Sequence, residues 1–363
     1  MKKEITVQYE GKDCYKICIT ESFDSLNDKL EEAMLQSGKK VCVVSDDNVA
    51  SFYIDKITSV LKEKYNQVFS FVFKAGEASK NTETVGRLYE HLIKNRFDRN
   101  DFLIALGGGV VGDLTGFAAA TYLRGIDFVQ VPTSLLAQVD SSIGGKTGVD
   151  HMQYKNMVGA FHMPKLVYMN MEVFETLPGK QFSNGMGEVI KHGLIKDEKY
   201  YRFLKSEYNS VIDKDFEALT SMIETSCNIK REVVEKDPKE KGERALLNFG
   251  HTIGHAIEKL SDFSLLHGEC VSLGIVAASY ISMKKGYLTA ENVADIEALL
   301  KLYGLPVRVK GYDASEVLSA TKNDKKMVGN KIKFILLKNI GEAFIDTALE
   351  DSDILEGIKY VVE

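Results

Sequence analysis

From Lys39 to Val131 the chain alternates four short apolar runs with segments of helical periodicity. That alternation restricts this part to a parallel sheet with crossover helices. The runs are KKVCVVS (39–45), QVFSFVF (67–73), DFLIAL (101–106) and FVQV (128–131). The first of them, rich in Val, suits a strand buried on both faces. Between them, Phe52, Ile54, Ile57, Val60, Leu61 and Tyr65 recur at helical spacing. Val85, Leu88, Tyr89, Leu92 and Ile93 do the same in a helix over 82–97, behind an Asn81 cap. A further helix is read over Leu114–Tyr122. Beyond about residue 172 strand signals nearly vanish, and helices are read over 216–234, 247–260, 271–283 and 290–303. One late exception, KIKFILL (331–337) after the turn signal Gly329-Asn330, predicts a small hairpin. The expected architecture is an α/β N-terminal domain, residues 1–172, with a Rossmann-like parallel sheet. A mostly α-helical C-terminal domain, residues 173–363, follows it. An active site is expected in the cleft between them, since ligands of such sheets gather at the carboxyl ends of the strands.

Composition removes several classes of function. Lys and Arg total 46 against 52 Asp and Glu, a net charge of −6, which lacks the basic field of a nucleic-acid binder but permits a local basic pocket. No stretch reaches the roughly 18 apolar residues of a membrane span. The longest candidate, Cys270–Ile281, is interrupted by Ser272, Gly274 and Ser279. The N-terminal MKKEITVQYE has no apolar core of a signal peptide, and the five cysteines form no CxxC pair. Reduced core thiols and a cytoplasmic location are expected.

Two glycine-rich turns can meet anions. Gly107-Gly108-Gly109-Val110-Val111-Gly112-Asp113 follows the strand DFLIAL and opens a helix, where glycines let backbone amides and a helix N-terminus approach a pyrophosphate. It sits later in the chain than the usual GxGxxG, and a tight strand-to-helix turn is the plainer reading. Gly144-Gly145-Lys146-Thr147-Gly148 resembles a P-loop fragment without the required upstream glycine; a phosphate site using Lys146 remains. Asp46, and Gly76, Glu77 and Lys80, lie at strand ends, where acids can accept ribose hydroxyls or simply be solvated.

The third feature is a histidine cluster. His251, His255 and His267 are three of only seven histidines, and the first two share a helix face. With Thr252 between them the HExxH reading of a zinc protease fails. Gly250 and Gly254 cost a helical pattern roughly 1 kcal/mol each against Ala, which implies a ligand or another backbone close by. A catalytic zinc wants three protein ligands. Two of these histidines with a carboxylate such as Glu188 would supply them; a polar core network or a general-base histidine is the alternative.

Seven segments taken together resemble the 3-dehydroquinate synthase family of sugar-phosphate cyclases: GGGVVGDLTGFAAATYLRG, VPTSLLAQVDSSIGGKTGVD, KNMVGAFHMPK, FSNGMGEVIKHGLI, GERALLNFGHTIGHAIE, HGECVSLG and DKKMVGNKIKFILL. The resemblance runs from residue 107 to 337 in family order. It implies a cyclase that takes 3-deoxy-D-arabino-heptulosonate 7-phosphate to 3-dehydroquinate and phosphate. Such an enzyme uses NAD transiently and one divalent metal ion, zinc or cobalt. Oxidation, phosphate elimination, re-reduction and intramolecular aldol closure follow in turn. The implied metal ligands are Glu188, His251 and His267. His255 would face the substrate, with Lys191 in the same pocket. Lys146, Asn156, His255 and Arg124, the last from a partner subunit, would hold the phosphate. Lys230, Arg244 and Asn248 would hold the carboxylate and hydroxyls, with Asp140 accepting a hydroxyl. The implied dinucleotide contacts are Asp46, Gly76, Glu77, Lys80, Gly109, Val110, Val111, Gly112, Asp113, Thr133, Ser134, Lys146, Lys155 and Thr176. One lysine of Lys325, Lys326, Lys331 and Lys333 would reach the phosphate, and a homodimer is implied. Met163, where glutamine is expected, and Ser134, where threonine is frequent, depart from the pattern away from the metal ligands.

The rivals are a sister cyclase such as 2-deoxy-scyllo-inosose synthase, a metal-dependent alcohol or glycerol dehydrogenase, and a non-catalytic NAD-binding regulator. A neutral sugar phosphate would leave Arg244 and Lys230 without a carboxylate, and a buried unpaired guanidinium is costly.

Overall fold

The computed structural model describes residues 3–152, 154–238, 242–262, 264–322, 327–328 and 331–362, with 327–328 and 331–332 described by their backbone. Two compact units divide the chain, Met1–Leu177 and Pro178–Glu363. The sequence-based boundary at 172/173 falls just before the short helix that closes the first unit.

The first unit runs β1 (Lys3–Tyr9), β2 (Lys12–Thr20), α1 (Leu26–Glu32), β3 (Val41–Asp46), α2 (Asp47–Lys62), β4 (Val68–Phe73), α3 (Thr82–Lys94), β5 (Phe102–Gly107), α4 (Gly109–Thr121), β6 (Asp127–Pro132), β7 (Lys146–His151), β8 (Tyr154–Phe161), β9 (Leu166–Asn170) and α5 (Val173–Thr176). Seven strands form one sheet in the order β1-β2-β9-β6-β5-β3-β4. All neighbours are parallel except the edge pair β1–β2. That pair turns through Glu10 and Gly11, both with positive φ, as a two-residue hairpin requires. The period of two along β5 divides the core. Phe102, Ile104 and Leu106 pack with Leu30, Ile57 and Leu61 on one face. Leu103 and Ala105 pack with Leu88, Leu92, Leu114 and Ala118 on the other. The continuous hydrophobicity of DFLIAL follows from that two-sided burial. Asn81 caps α3 through its side chain, which accepts from the Thr84 amide at 2.9 Å.

The connections set where ligands can gather. From β3 the chain leads to β4 on one side, and from β5 to β6 on the other. The switch point therefore lies between the carboxyl ends of β3 and β5, where Asp46 and Gly107–Gly109 sit. The strands β7 and β8 form a separate antiparallel hairpin. Gly144-Gly145 therefore leads into a strand, not a helix, and the P-loop reading fails for want of a helix N-terminus.

The second unit runs α6 (Gly179–Lys196), α7 (Glu198–Ser206), α8 (Tyr208–Ile212), α9 (Phe216–Lys236), α10 (His251–Leu260), α11 (His267–Lys284), α12 (Ala290–Leu302), α13 (Ala314–Lys322), β10 (Met327–Val328), β11 (Lys331–Ile332), β12 (Phe334–Asn339), β13 (Glu342–Asp346) and α14 (Asp351–Val361). A 3-10 turn over Glu243–Asn248 precedes α10. α11 packs against α6, α10, α12, α14 and β12 and is buried nearly all round, which explains its unusually apolar sequence. No helix among the described residues is long and apolar enough to cross a membrane. The expected hairpin at 331–337 is two hairpins: β11 pairs with β10, and β12 pairs with β13.

Candidate active site

In the first unit, α4 begins at Gly109, ahead of the Leu114 start read from periodicity, so the glycine run is the helix start itself. Gly108 is the N-cap and brings no side chain to its amides. Local packing explains part of the run. A Cβ at Gly112 would come 2.7 Å from Gln130 Oε1, and one at Gly109 would come 3.1 Å from Ser141 Oγ. Gly108 meets only Ser134 Oγ, at an ordinary 3.6 Å, so packing does not explain its missing side chain. Open amides at a helix start suit an anion.

Around that turn the strand ends converge. Asp46 caps α2, accepting from the amides of Asn48 at 3.0 Å and Val49 at 2.9 Å, a role beyond the two weighed from sequence. Burial pushes its carboxyl up, against those two amides. Gly76, at φ 111, leads into Glu77, whose carboxyl burial also pushes up while Lys80 opposes. Lys80, 4% exposed, donates to Asp113 Oδ2 at 2.6 Å and to Asn156 Oδ1 at 2.6 Å. Burial disfavours its charge, and Asp113 with Glu77 more than restores it. Val111 is fully buried and Val110 partly so, both packed in the sheet core, so any approach at these positions is through backbone. The Thr133 amide donates to Gly107 O at 3.0 Å, and Ser134 Oγ accepts from the Ala137 amide at 3.2 Å. Thr176 bonds the Tyr53 hydroxyl. Asp140 lies in a π-helical turn over Ala137–Ser141. Lys146 and Asn156 are exposed and Lys155 half-buried on the β7–β8 hairpin. Arg124 is exposed at φ 70, beside Leu123 at φ 49. Asp113→Asn is expected to lower the unfolding free energy by roughly 2 kcal/mol, below the 3–5 of a fully buried pair because Asp113 keeps some solvent. Urea unfolding would measure it.

In the second unit, α6 supplies Glu188, α10 supplies His251 and α11 supplies His267; one donor atom from each lies within 4.8 Å of the others. Glu188 Oε1 is 3.5 Å from His251 Nε2 and 3.6 Å from His267 Nε2. This oxygen is buried without a hydrogen-bond partner. The other, Oε2, pairs with Lys191 Nζ, one helical turn on; the residues are 0% and 1% exposed. Burial works against the Glu188 charge, but Lys191 and His267 outweigh it and hold the carboxyl well below its usual range. Burial likewise opposes a proton on His267, but Glu188 and Glu258 push its pKa up to about 9. Surroundings that stabilise extra positive charge at this point would stabilise a cation too. Two imidazoles and one carboxylate match the donor set of a three-ligand zinc site. The orphaned oxygen is an observation in favour of that fit.

The His255 ring centroid is 5.0 Å from that of His251 and 5.8 Å from that of His267, outside the Glu188 set. Lys230 is 6% exposed on α9 and Arg244 3% exposed in the 3-10 turn, which packs on α9 and α6. Arg244 Nη1 donates to Pro238 O at 2.7 Å, and Asn248, half-buried, closes the same turn. Lys325 and Lys326 lie outside the described residues, as does the Lys331 side chain; Lys333 is half-buried. Sequence reasoning missed Glu258, although His251, His255 and Glu258 form an i, i+4, i+7 stripe on α10.

The close-approach expectation for Gly250 and Gly254 resolves in favour of backbone. Gly250, at φ 79, would put a Cβ 2.8 Å from the Ile275 amide, and Gly254 one 2.7 Å from Cys270 O. Gly187 does the same against Gly268 O, at 2.8 Å.

A parallel sheet with an amide-lined helix start, and a helical unit with a two-histidine, one-carboxylate donor set, define a class of two-unit enzymes. Models of 3-dehydroquinate synthase match the chain in two consecutive parts, the N-terminal one over residues 70–184 and the C-terminal one over 185–327. The chain belongs to the 3-dehydroquinate synthase family. It is 44% identical over 344 residues to 3-dehydroquinate synthase of Ruminiclostridium cellulolyticum, covering 95% of each chain. It is 43% identical over 345 residues to that of Acetivibrio thermocellus, again covering 95% of each. Among solved structures, 2-deoxy-scyllo-inosose synthase complexed with carbaglucose-6-phosphate, NAD+ and Co2+ matches with a TM-score of 0.87, 24% identity and coverage of 98% of this chain and 99% of that one. A 2-epi-5-epi-valiolone synthase from Streptomyces hygroscopicus with NAD+ and Zn2+ bound gives the same four values, a TM-score of 0.87, 24% identity, 98% and 99%. At that identity these two likenesses speak to the fold.

Proposed function

We propose that this chain converts 3-deoxy-D-arabino-heptulosonate 7-phosphate to 3-dehydroquinate and inorganic phosphate, as a phosphate-eliminating carbon–oxygen lyase of aromatic amino acid biosynthesis. The observation that carries the reading is the Glu188–His251–His267 cluster, its carboxylate fully buried with Lys191 against it, in a chain of this family. The groups it would hold are NAD and one zinc or cobalt ion; when bound, the dinucleotide takes up and returns a hydride while the cation acidifies a hydroxyl.

The chain's own residues do the rest. Glu188, His251 and His267 hold the cation. Lys191, paired with Glu188 Oε2, places a proton donor beside that donor set. Arg244 presents a planar fork suited to a carboxylate, with Lys230 and Asn248 completing the grip. His255, Lys146, Asn156 and Arg124 hold the phosphate, and Asp140 accepts a hydroxyl. The departing phosphate serves as its own base, so these residues chiefly orient it. Asp46, Gly76, Glu77, Lys80, Gly109, Val110, Val111, Gly112, Asp113, Thr133, Ser134, Lys155 and Thr176 line the dinucleotide, with Lys146 shared between the two ligands.

The proposed assembly is a homodimer. The β7–β8 hairpin exposes Met152 at 86%, Tyr154 at 51%, Met157 at 43% and Phe161 at 56%, apolar surface that a second copy would cover. Five free thiols, four of them buried, suit a reducing cytoplasm.

Phosphate release from the heptulosonate substrate, with and without NAD, tests the reading. Release is expected only with NAD and with no net change in absorbance at the NADH band. Release from glucose 6-phosphate alone would assign the chain to the aminocyclitol branch, and accumulating NADH would make it a dehydrogenase.

A further inference from the structure

Each histidine of the Glu188 cluster has its second ring nitrogen engaged, and the two partners differ in charge. His251 Nδ1 lies 3.1 Å from the carbonyl oxygen of Phe249. His267 Nδ1 lies 3.4 Å from Oε2 of Glu258. Glu258 is 6% exposed and sits on α10, two helical turns beyond His251. The helix that supplies one donor therefore also supplies the support of another.

We infer that Glu258 is a positioning residue for the cation: it accepts the Nδ1–H of His267 and thereby leaves Nε2 as the free donor, on the side it shares with Glu188 Oε1 and His251 Nε2. Its negative charge makes that imidazole a stronger donor than His251, whose partner is only a carbonyl. The inference rests on the metal reading above. Glu258 also belongs to a second set of donor atoms within 4.8 Å, with His255 and His267. In that arrangement it would be a ligand, and the chain would hold two ions.

The test compares the wild type with Glu258→Gln and Glu258→Leu. Cobalt and zinc affinity would be measured by chelator competition, alongside the visible spectrum of the cobalt form, metal content and circular dichroism. The wild type is expected to bind one ion per chain. Gln keeps an acceptor oxygen without the charge and should weaken binding roughly tenfold; Leu removes both and should weaken it about 100-fold, with a shifted cobalt spectrum. Activity lost in the Gln variant should return at saturating metal. The near-isosteric Gln variant carries the test if Leu fails to fold. Unchanged affinity and spectrum in the folded variants would overturn the inference and leave the metal reading standing. Two ions per wild-type chain, falling to one in both variants, would also overturn it, making Glu258 a ligand. A wild type that binds no ion would overturn both.

Discussion

EDTA-treated protein is expected to release no phosphate from the heptulosonate substrate, and zinc or cobalt is expected to restore release. His267→Ala should reproduce the loss without EDTA, by at least about a thousandfold in turnover, on the order of 4 kcal/mol of transition-state stabilisation. Glu188 is the pivot of the donor set. One of its oxygens is committed to Lys191, and the other faces both imidazoles with no hydrogen-bond partner. Taking away one imidazole leaves two donors where a catalytic zinc needs three. Far-UV circular dichroism should stay native, because His267 stands at the first turn of α11 and retains some exposure. Full turnover in protein shown to be metal-free would remove the basis for assigning Glu188, His251 and His267.

The second large effect concerns stability. Gly274→Ala is expected to destabilise the second unit by about 3 kcal/mol, the upper end for overpacking, because the obstacle is backbone and no rotamer can relieve it. A Cβ there would overlap the carbonyl oxygen of Gly250, in the turn that starts α10. The measurement is the urea midpoint of the variant against Ala277→Gly, a change in the same buried helix that adds no atoms. A midpoint for Gly274→Ala equal to wild type would show that α10 and α11 can separate without penalty.

Much of this was legible in the order of residues. The four apolar runs located β3 to β6: β3 and β5 are buried on both faces and read as continuous apolar stretches, while β4, at the sheet edge, showed through its density of Val and Phe. The edge strand β1, KEITVQY, escaped because its charged, alternating residues reflect one solvated face. The start of α4 was placed late because its first turn, Gly109 to Gly112, has no side-chain periodicity to read. At the site, the i, i+4 spacing pointed to His251 and His255 as neighbours. Only the three-dimensional path brings His267, from a different helix, to the same carboxylate oxygen as His251. Glu258 was passed over although it shares the stripe of His251 and His255, because a buried glutamate and a solvated one look alike in a helical pattern until the partner on the neighbouring helix is known.

Each donor of the cluster stands next to a glycine: Gly187 before Glu188, Gly250 before His251, and Gly268 after His267. Those glycines press on one another's helices, Gly187 against Gly268 and Gly250 against the turn of α11 that carries Gly274 and Ile275. Main chain thus rests on main chain beside every donor, which holds the three backbone positions at a set spacing while the side chains keep their own torsions. Intrinsic affinity rises across the first-row divalent ions irrespective of need. Donor chemistry offers another criterion: two imidazoles and one carboxylate, held on packed backbone, would suit calcium poorly, since that ion takes about six to eight oxygens, however abundant it were.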